Sequence, residues 1–149
     1  MAPPMRLLAV CVLFALPGCG SRTSDDMPPV TAVSLPPELT QVLRTYERAY
    51  EGRDSTAIAA LFTPDGLLLP LNRPPVRGGD VVGGALSREG GALSLVPIAY
   101  GLSDSVAYIV GTFGAERSAA VGGKFVLALR RGVSGEWRVA ADIANHNGR

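Results

Sequence analysis

Apolar residues at helical spacing mark the start of the folded region. In residues 38–51 they stand at positions 39, 42, 43, 46, 49 and 50, which share one face of an α-helix. Pro36 and Pro37 suit a helix start, because proline gives up no helical hydrogen bond there. Gly52 is a candidate C-terminal cap. The pattern predicts one amphipathic helix, and a capping residue at position 54 or 55 can begin a shorter helix that runs to residue 62.

Short apolar segments separated by turns follow these helices. A turn at 64–66 is expected to end the second helix. Pro70 makes the segment 67–71 an edge or bulged strand, because its ring removes a backbone donor. Residues 80–88 predict a weak helix, since two adjacent glycines interrupt it. Further strands are predicted at 93–100, 106–113, 124–130 and 136–143.

In the last of these strands, alternation places Trp137, Val139, Ala141 and Ile143 on one face and Asp142 on the other. Helices followed by consecutive strands predict an α+β fold. We expect two or three N-terminal helices packed on a curved antiparallel sheet.

Composition limits the kinds of site and partner that the chain can have. The 149 residues suit one ordinary domain, and 14 basic against 13 acidic residues leave no electrostatic footprint for nucleic acid. Two cysteines exclude a disulfide-stapled scaffold. One histidine, His146, together with so few cysteines, excludes a metal site built from several such ligands. We therefore expect neither a metal nor a cofactor.

The first nineteen residues contain a candidate targeting signal. Arg6 precedes ten apolar residues, 7–16, which are too few to span a bilayer and match the core of a signal peptide. The sequence Leu16-Pro17-Gly18-Cys19 then resembles the bacterial lipobox. The resemblance implies a signal peptide at 1–18, a lipidated Cys19, and a membrane-anchored lipoprotein of the bacterial cell envelope. A plain secretory signal is the alternative. Residues 19–37 are expected to be the lipidated cysteine and a disordered tether, and 38–149 the domain.

Four segments carry a second resemblance. They are 46–54 (YERAYEGRD), 58–66 (IAALFTPDG), 77–80 (RGGD) and 135–143 (GEWRVAADI). Their order and spacing resemble the nuclear-transport-factor-2-like superfamily, which includes ketosteroid isomerases and SnoaL-like polyketide cyclases. The resemblance implies a cone-shaped, cystatin-like roll with an apolar pocket at its open end, and often a homodimer formed through the exposed sheet face.

The residues only partly match an isomerase of that superfamily. The resemblance puts its helix-borne tyrosine at Tyr46, but its catalytic aspartate at Pro70, which cannot take a proton. Its second carboxyl falls near Gly122, Gly123 and Lys124, where this chain has none. The ketosteroid-isomerase set is therefore not retained, and whether the chain is an enzyme stays open.

The remaining candidates for a site are Tyr46, Tyr50, Asp142 and His146. If Asp142 lines the cone, burial raises its pKa toward the range in which a carboxylate acts as a general base. Otherwise Asp142 pairs with an arginine or a backbone group near the strand end. Tyr50 is more typical of a core stripe. His146 lies in a polar tail and is more typical of a solvated side chain, or else reaches the pocket rim.

Three functions follow from these patterns. The first is a lipid-anchored domain that binds a small hydrophobic molecule without turnover. The second is a SnoaL-like cyclase, dehydratase or isomerase that uses Asp142 and Tyr46. The third is a dimeric structural or assembly module whose pocket is filled by side chains.

Overall fold

The structure, a computed structural model, describes residues 30–115 and 122–147. The predicted signal peptide, Cys19 and most of the predicted tether lie outside the described residues. Within them are three helices: α1 (Pro37–Glu51), α2 (Ser55–Leu61) and α3 (Gly79–Glu89). The strands are β1 (Phe62–Leu69), β2 (Val76–Arg77), β3 (Ser94–Leu102), β4 (Val106–Gly114), β5 (Gly123–Arg131) and β6 (Trp137–His146). None of the helices in these two ranges is long and apolar enough to cross a membrane.

Helix α1 buries the face that its sequence predicts. The buried residues are Leu39, Val42, Leu43, Tyr46 and Ala49, so burial of apolar area holds the helix on the sheet. Helix α2 begins at a true cap, where the Asp54 carboxylate accepts a hydrogen bond from the Ala57 amide at 2.9 Å.

Helix α3 forms across the two glycines that weaken its sequence pattern. A side chain at position 83 would collide with the Ser55 carbonyl oxygen of α2. Gly83 therefore lets the backbones of α2 and α3 approach closely, and tertiary packing supports a helix whose intrinsic propensity is low.

The strands form one sheet in the order β2-β1-β6-β5-β4-β3. Strands β3 to β6 are antiparallel neighbours, whereas β1 pairs with β6 in parallel. The α+β fold class is confirmed: three helices pack on a mixed, mostly antiparallel, curved sheet. The predicted turn at 64–66 is instead an irregularity inside β1, which starts at Phe62 directly after α2.

A β-bulge interrupts β6. Ala128 of β5 pairs with Ala141, while the next residue, Leu129, pairs with Val139. Ala140 is thus the extra residue on β6, and alternation of side chains is reset at that point.

The bulge overturns the predicted faces of this strand. Trp137, Val139 and Asp142 are all buried on the inner face, beneath the helices, and Ile143 faces outward with 40% of its surface exposed. The expectation that Asp142 lies opposite Trp137 and Val139 was wrong, because strict period-two alternation holds only for an unbulged strand.

The segment before α1 also touches the sheet. The Val33 amide donates a hydrogen bond of 2.9 Å to the Pro97 carbonyl of β3, and Leu35 packs against the core. Residues 30–36 have no regular secondary structure.

Candidate functional site

A cavity of about 400 Å³ opens between the helices and the inner face of the sheet. It lies where β1, β4 and β6 end and where β3 and β5 begin, under the C-terminal halves of α1 and α3. Its wall is mainly apolar, with Leu68, Leu86, Phe113, Phe125 and Leu127 among the lining residues. A concave, apolar space of this size is typical of sites for small molecules.

Asp142 stands in the wall of this cavity. In the sheet register it is flanked by Leu68 of β1 and Leu127 of β5, and only 4% of its surface is exposed. The Tyr46 hydroxyl donates a buried hydrogen bond of 2.7 Å to its Oδ2 atom. The predicted partner, an arginine or a backbone group, is thus replaced by a tyrosine from α1.

Burial governs the protonation of this pair. Removal from water raises the pKa of Asp142 to about 6, and the hydrogen bond from Tyr46 opposes part of that shift. Burial also raises the pKa of Tyr46 well above its ordinary value, and the neighbouring charge of Asp142 adds to the effect. The tyrosine therefore keeps its proton, and the carboxyl group titrates within the ordinary physiological range.

Tyr50 lies one helical turn beyond Tyr46. Their rings stack with centroids 6.5 Å apart at an interplanar angle of 28°. Tyr50 is half-buried and lines the cavity, and burial, followed by the charge of Glu89, raises its pKa. It belongs both to the cavity wall and to the apolar stripe of α1.

His146 also lines the cavity. It lies at the end of β6 rather than in a tail, and its ring packs edge-on against Phe113, with centroids 5.1 Å apart. The structure therefore brings the four residues singled out in the sequence, Tyr46, Tyr50, Asp142 and His146, to one cavity.

The mouth of the cavity carries two charged residues that sequence patterns do not reveal. Arg73, in the loop after β1, forms an ion pair with Glu89 at the end of α3. The two side chains are 58% and 41% exposed. They lie sixteen positions apart with no shared periodicity, so only the fold brings them together.

The structure also shows where the positions lie that the superfamily resemblance associates with catalysis. Pro70, the position at which the resemblance puts the isomerase base, lines the cavity. The Lys124 amino group instead donates to the Asn147 side chain at 3.3 Å, in an exposed contact. Within residues 30–115 and 122–147, no cluster of His, Cys, Asp and Glu could hold a metal ion.

Comparisons with known proteins bear on the fold. No protein-family model matches the chain, and no curated protein matches it. A ketosteroid isomerase-like protein from Erwinia carotovora atroseptica is similar in structure, with a TM-score of 0.61 and 19% identity over 75% of this chain and 95% of that one. An NTF2-like protein of unknown function from Shewanella oneidensis gives a TM-score of 0.59 and 20% identity over 72% and 95%.

A third similar structure is a putative calcium/calmodulin-dependent protein kinase II association domain from Xanthomonas campestris. Its TM-score is 0.61, with 16% identity over 83% of this chain and 99% of that one. This chain has the nuclear-transport-factor-2-like fold. At such identities the likeness establishes the fold alone, and the chemistry has to be argued from the site.

Proposed function

We propose that this nuclear-transport-factor-2-like domain binds a small, mainly apolar molecule in its cavity without turning it over, as a lipid-anchored protein of a bacterial cell envelope. The observation that carries the proposal is the cavity itself: about 400 Å³, apolar walls, and one buried polar pair at Asp142 and Tyr46. A few placed polar groups in an apolar space orient a ligand while burial supplies its affinity.

Two alanines on β6 give a matched test of the binding site. Ala144 lines the cavity, while Ala141 lies on the other side of the bulged strand. Ala144→Leu should fill part of the cavity and weaken binding of small apolar probes about tenfold or more, whereas Ala141→Leu should leave binding unchanged. Calorimetric titration of a probe library against both variants measures the difference. Equal affinity in the two variants, or no probe bound by the unaltered chain, would reject the proposed site.

The anchor is tested at Cys19. The lipobox predicts that its thiol receives the lipid, and two or more acyl chains hold a protein stably on a membrane. Cys19→Ser should therefore leave the precursor unprocessed or release the protein from membranes. A variant that is processed and fractionates with membranes as before would refute the anchor.

Acid–base catalysis is a second candidate, which the Asp142–Tyr46 pair favours. A general base works best when its pKa lies near the operating pH, and burial brings that of Asp142 to about 6. Tyr46 stands beside it as a hydrogen-bonding partner in the same cavity. The missing carboxylate at Pro70 excludes only the ketosteroid-isomerase arrangement, because Asp142 lies on a different strand.

Deuterium exchange tests catalysis without a known substrate. A base in the cavity should speed the incorporation of solvent deuterium next to the carbonyl of small cyclic ketones, with a rate that rises as pH passes about 6. Mass spectrometry of a ketone panel would show the exchange, and Asp142→Asn should abolish it. Exchange that survives in this variant, or none with any ketone, argues for binding without turnover.

Dimerisation is proposed through the outer face of the sheet. Val110, Val126 and Ile143 are neighbours across β4, β5 and β6, and Tyr108 stands beside them with 48% of its surface exposed. A contiguous apolar face of this kind is typical of a protein interface. One of the similar structures is described as an association domain, which agrees with this reading.

A single charge on that face should break the dimer. Val126→Lys places an ammonium in the middle of the apolar rows, whereas Val133→Lys changes the fully exposed β5–β6 turn. Light scattering should give a dimer for the unaltered chain and for Val133→Lys, and a monomer for Val126→Lys. A monomeric unaltered chain would exclude this interface.

A further inference from the structure

The buried pair in the cavity offers acceptors to a ligand. The Tyr46 hydroxyl has one hydrogen, which it uses to donate a hydrogen bond to Asp142. An ionised carboxylate only accepts hydrogen bonds, and the tyrosine oxygen still has lone pairs. A ligand group that meets this pair must therefore supply the donors.

The charges that line the cavity do not balance. Arg73 and Glu89 form an ion pair with each other at the exposed mouth. His146 packs against Phe113 at the far end of β6. In the described residues that line the cavity, Asp142 is thus the acidic group without a basic partner, and it stands between Leu68 and Leu127.

A buried carboxylate of this kind favours a cation. Charges taken out of water are stabilised by a paired opposite charge and by hydrogen bonds. An ammonium group supplies both, with three donors and one positive charge. Tyr46, whose hydroxyl bonds the carboxylate, stacks on Tyr50, which also lines the cavity, and aromatic faces attract cations.

We propose that the ligand of this cavity is an amine with an apolar body, whose ammonium group meets Asp142 and Tyr46. This inference rests on the proposed binding function. The apolar body lies against the leucine and phenylalanine side chains of the wall, and the ammonium pairs with the Asp142 carboxylate.

A matched ligand series tests the inference. Naphthylmethylamine, naphthylmethanol and naphthoic acid share one aromatic body and differ in the polar group. Calorimetric titrations into the purified full chain in a non-ionic detergent, with detergent alone as the blank, should rank the amine first. Charge-assisted hydrogen bonds predict an advantage of about tenfold over the alcohol, and the naphthoate should bind most weakly because it repels Asp142.

The pH dependence of the binding affinity gives a second test that needs no variant. The amine stays protonated while Asp142 gains its charge through a pKa of about 6, so the affinity of the amine should rise about tenfold from pH 5 to pH 7. The affinity of the alcohol should change less. The other titratable groups that face this space are Tyr46, Tyr50, Glu89 and His146, with Arg73 as the fixed cation. His146→Gln is the control for the imidazole ring, and the pH profile of the amine should keep its shape in this variant.

Asp142→Asn completes the test, because it keeps the shape of the side chain and removes the charge. The preference for the amine over the alcohol should disappear in this variant. An alcohol or naphthoate that binds as tightly as the amine, a flat pH profile, or an amine preference retained in Asp142→Asn would overturn the inference and leave the binding function standing. If none of the three compounds binds while a probe of the library does, the inference alone falls, and if no probe binds, the binding function falls as well.

Discussion

The two halves of β6 face different surroundings on the same side of the sheet. Trp137 and Val139 pack into the solid core beneath the helices. Asp142, Ala144 and His146 line the cavity. The bulge at Ala140 lies at the border between them. One strand therefore serves stability in its first half and carries the candidate site in its second.

The comparison shows how a fold accommodates a charged group among apolar ones. In the solid half, every inner position is filled by an apolar side chain, so a carboxylate there would have no partner. In the open half, the cavity leaves room for a ligand, and Tyr46 supplies a hydrogen bond. Substitutions in the two halves should therefore differ in their effects.

Two leucines on β5 compare the halves directly. Leu129 pairs with Val139 in the solid half, and Leu127 pairs with Asp142 beside the cavity. Leu129→Ala should lower the free energy of unfolding by about 3–5 kcal/mol, because it creates a void in close-packed core. Leu127→Ala should cost nearer 2 kcal/mol, the low end of such substitutions, since one side already borders empty space. Urea unfolding at pH 7 measures both, and equal losses would remove the distinction.

The charge of Asp142 should make stability depend on pH. Its pKa is about 6 in the folded chain and near 3.8 when unfolded, so between these values the folded state holds more protons. Stability contributed by this group is complete below about pH 4 and is lost as pH rises through 6, by about 3 kcal/mol.

Asp142→Asn lacks that contribution. Urea unfolding of the two proteins at a series of pH values should show the unaltered chain losing stability relative to the variant across this window. Other titrating groups are common to both proteins and cancel in the difference. Parallel curves would mean that Asp142 titrates at its ordinary value and is not desolvated.

Substitutions of Tyr46 and Tyr50 distinguish the effect of the hydrogen bond to Asp142 from the effect of ring stacking. Tyr46→Phe removes the donor that opposes the burial effect, so the pKa of Asp142 should rise further above 6. Stability at pH 7 should fall by about 1.5–3 kcal/mol, the range for a hydrogen bond to a charged group.

Tyr50→Phe is the matched control, because it keeps the stacked ring and does not touch the Asp142 hydrogen bond. An NMR titration of the Asp142 carboxyl carbon measures the pKa of Asp142 in both variants. The same shift in both would show that Tyr46 acts through packing alone.

The ion pair at the cavity mouth should matter least. The Arg73 and Glu89 side chains are 58% and 41% exposed, and exposed pairs contribute about 0.2–1 kcal/mol that salt reduces. Arg73→Gln should therefore change unfolding slightly, and less at high salt. A double-mutant cycle with Glu89→Gln isolates the pair, and a coupling well above this range would indicate that the mouth is closed to solvent.

Local patterns in the sequence were sufficient for α1. Its buried stripe, including Tyr46, follows from the helical period, which depends on neighbours three and four residues apart. The positions of β3, β4 and β5 likewise followed from apolar runs bounded by turns. These features are set by residues close in the chain.

Pairing between distant segments decided the rest. The bulge at Ala140 exists only in the register between β5 and β6, and it moves Asp142 to the inner face. The parallel contact of β1 with β6 and the close approach at Gly83 depend in the same way on which elements pack together. The pairing of distant segments cannot be deduced from the sequence pattern within any one segment.

The sequence by itself determined the α+β class and the buried face of α1, and it singled out Tyr46, Tyr50, Asp142 and His146 as candidates. The tertiary structure decided that Asp142 faces inward, that Tyr46 is its partner, and that Arg73 meets Glu89 at the mouth. The physical reason is range: periodicity and capping act over a few residues, whereas the hydrogen bond between Tyr46 and Asp142 joins residues 96 positions apart.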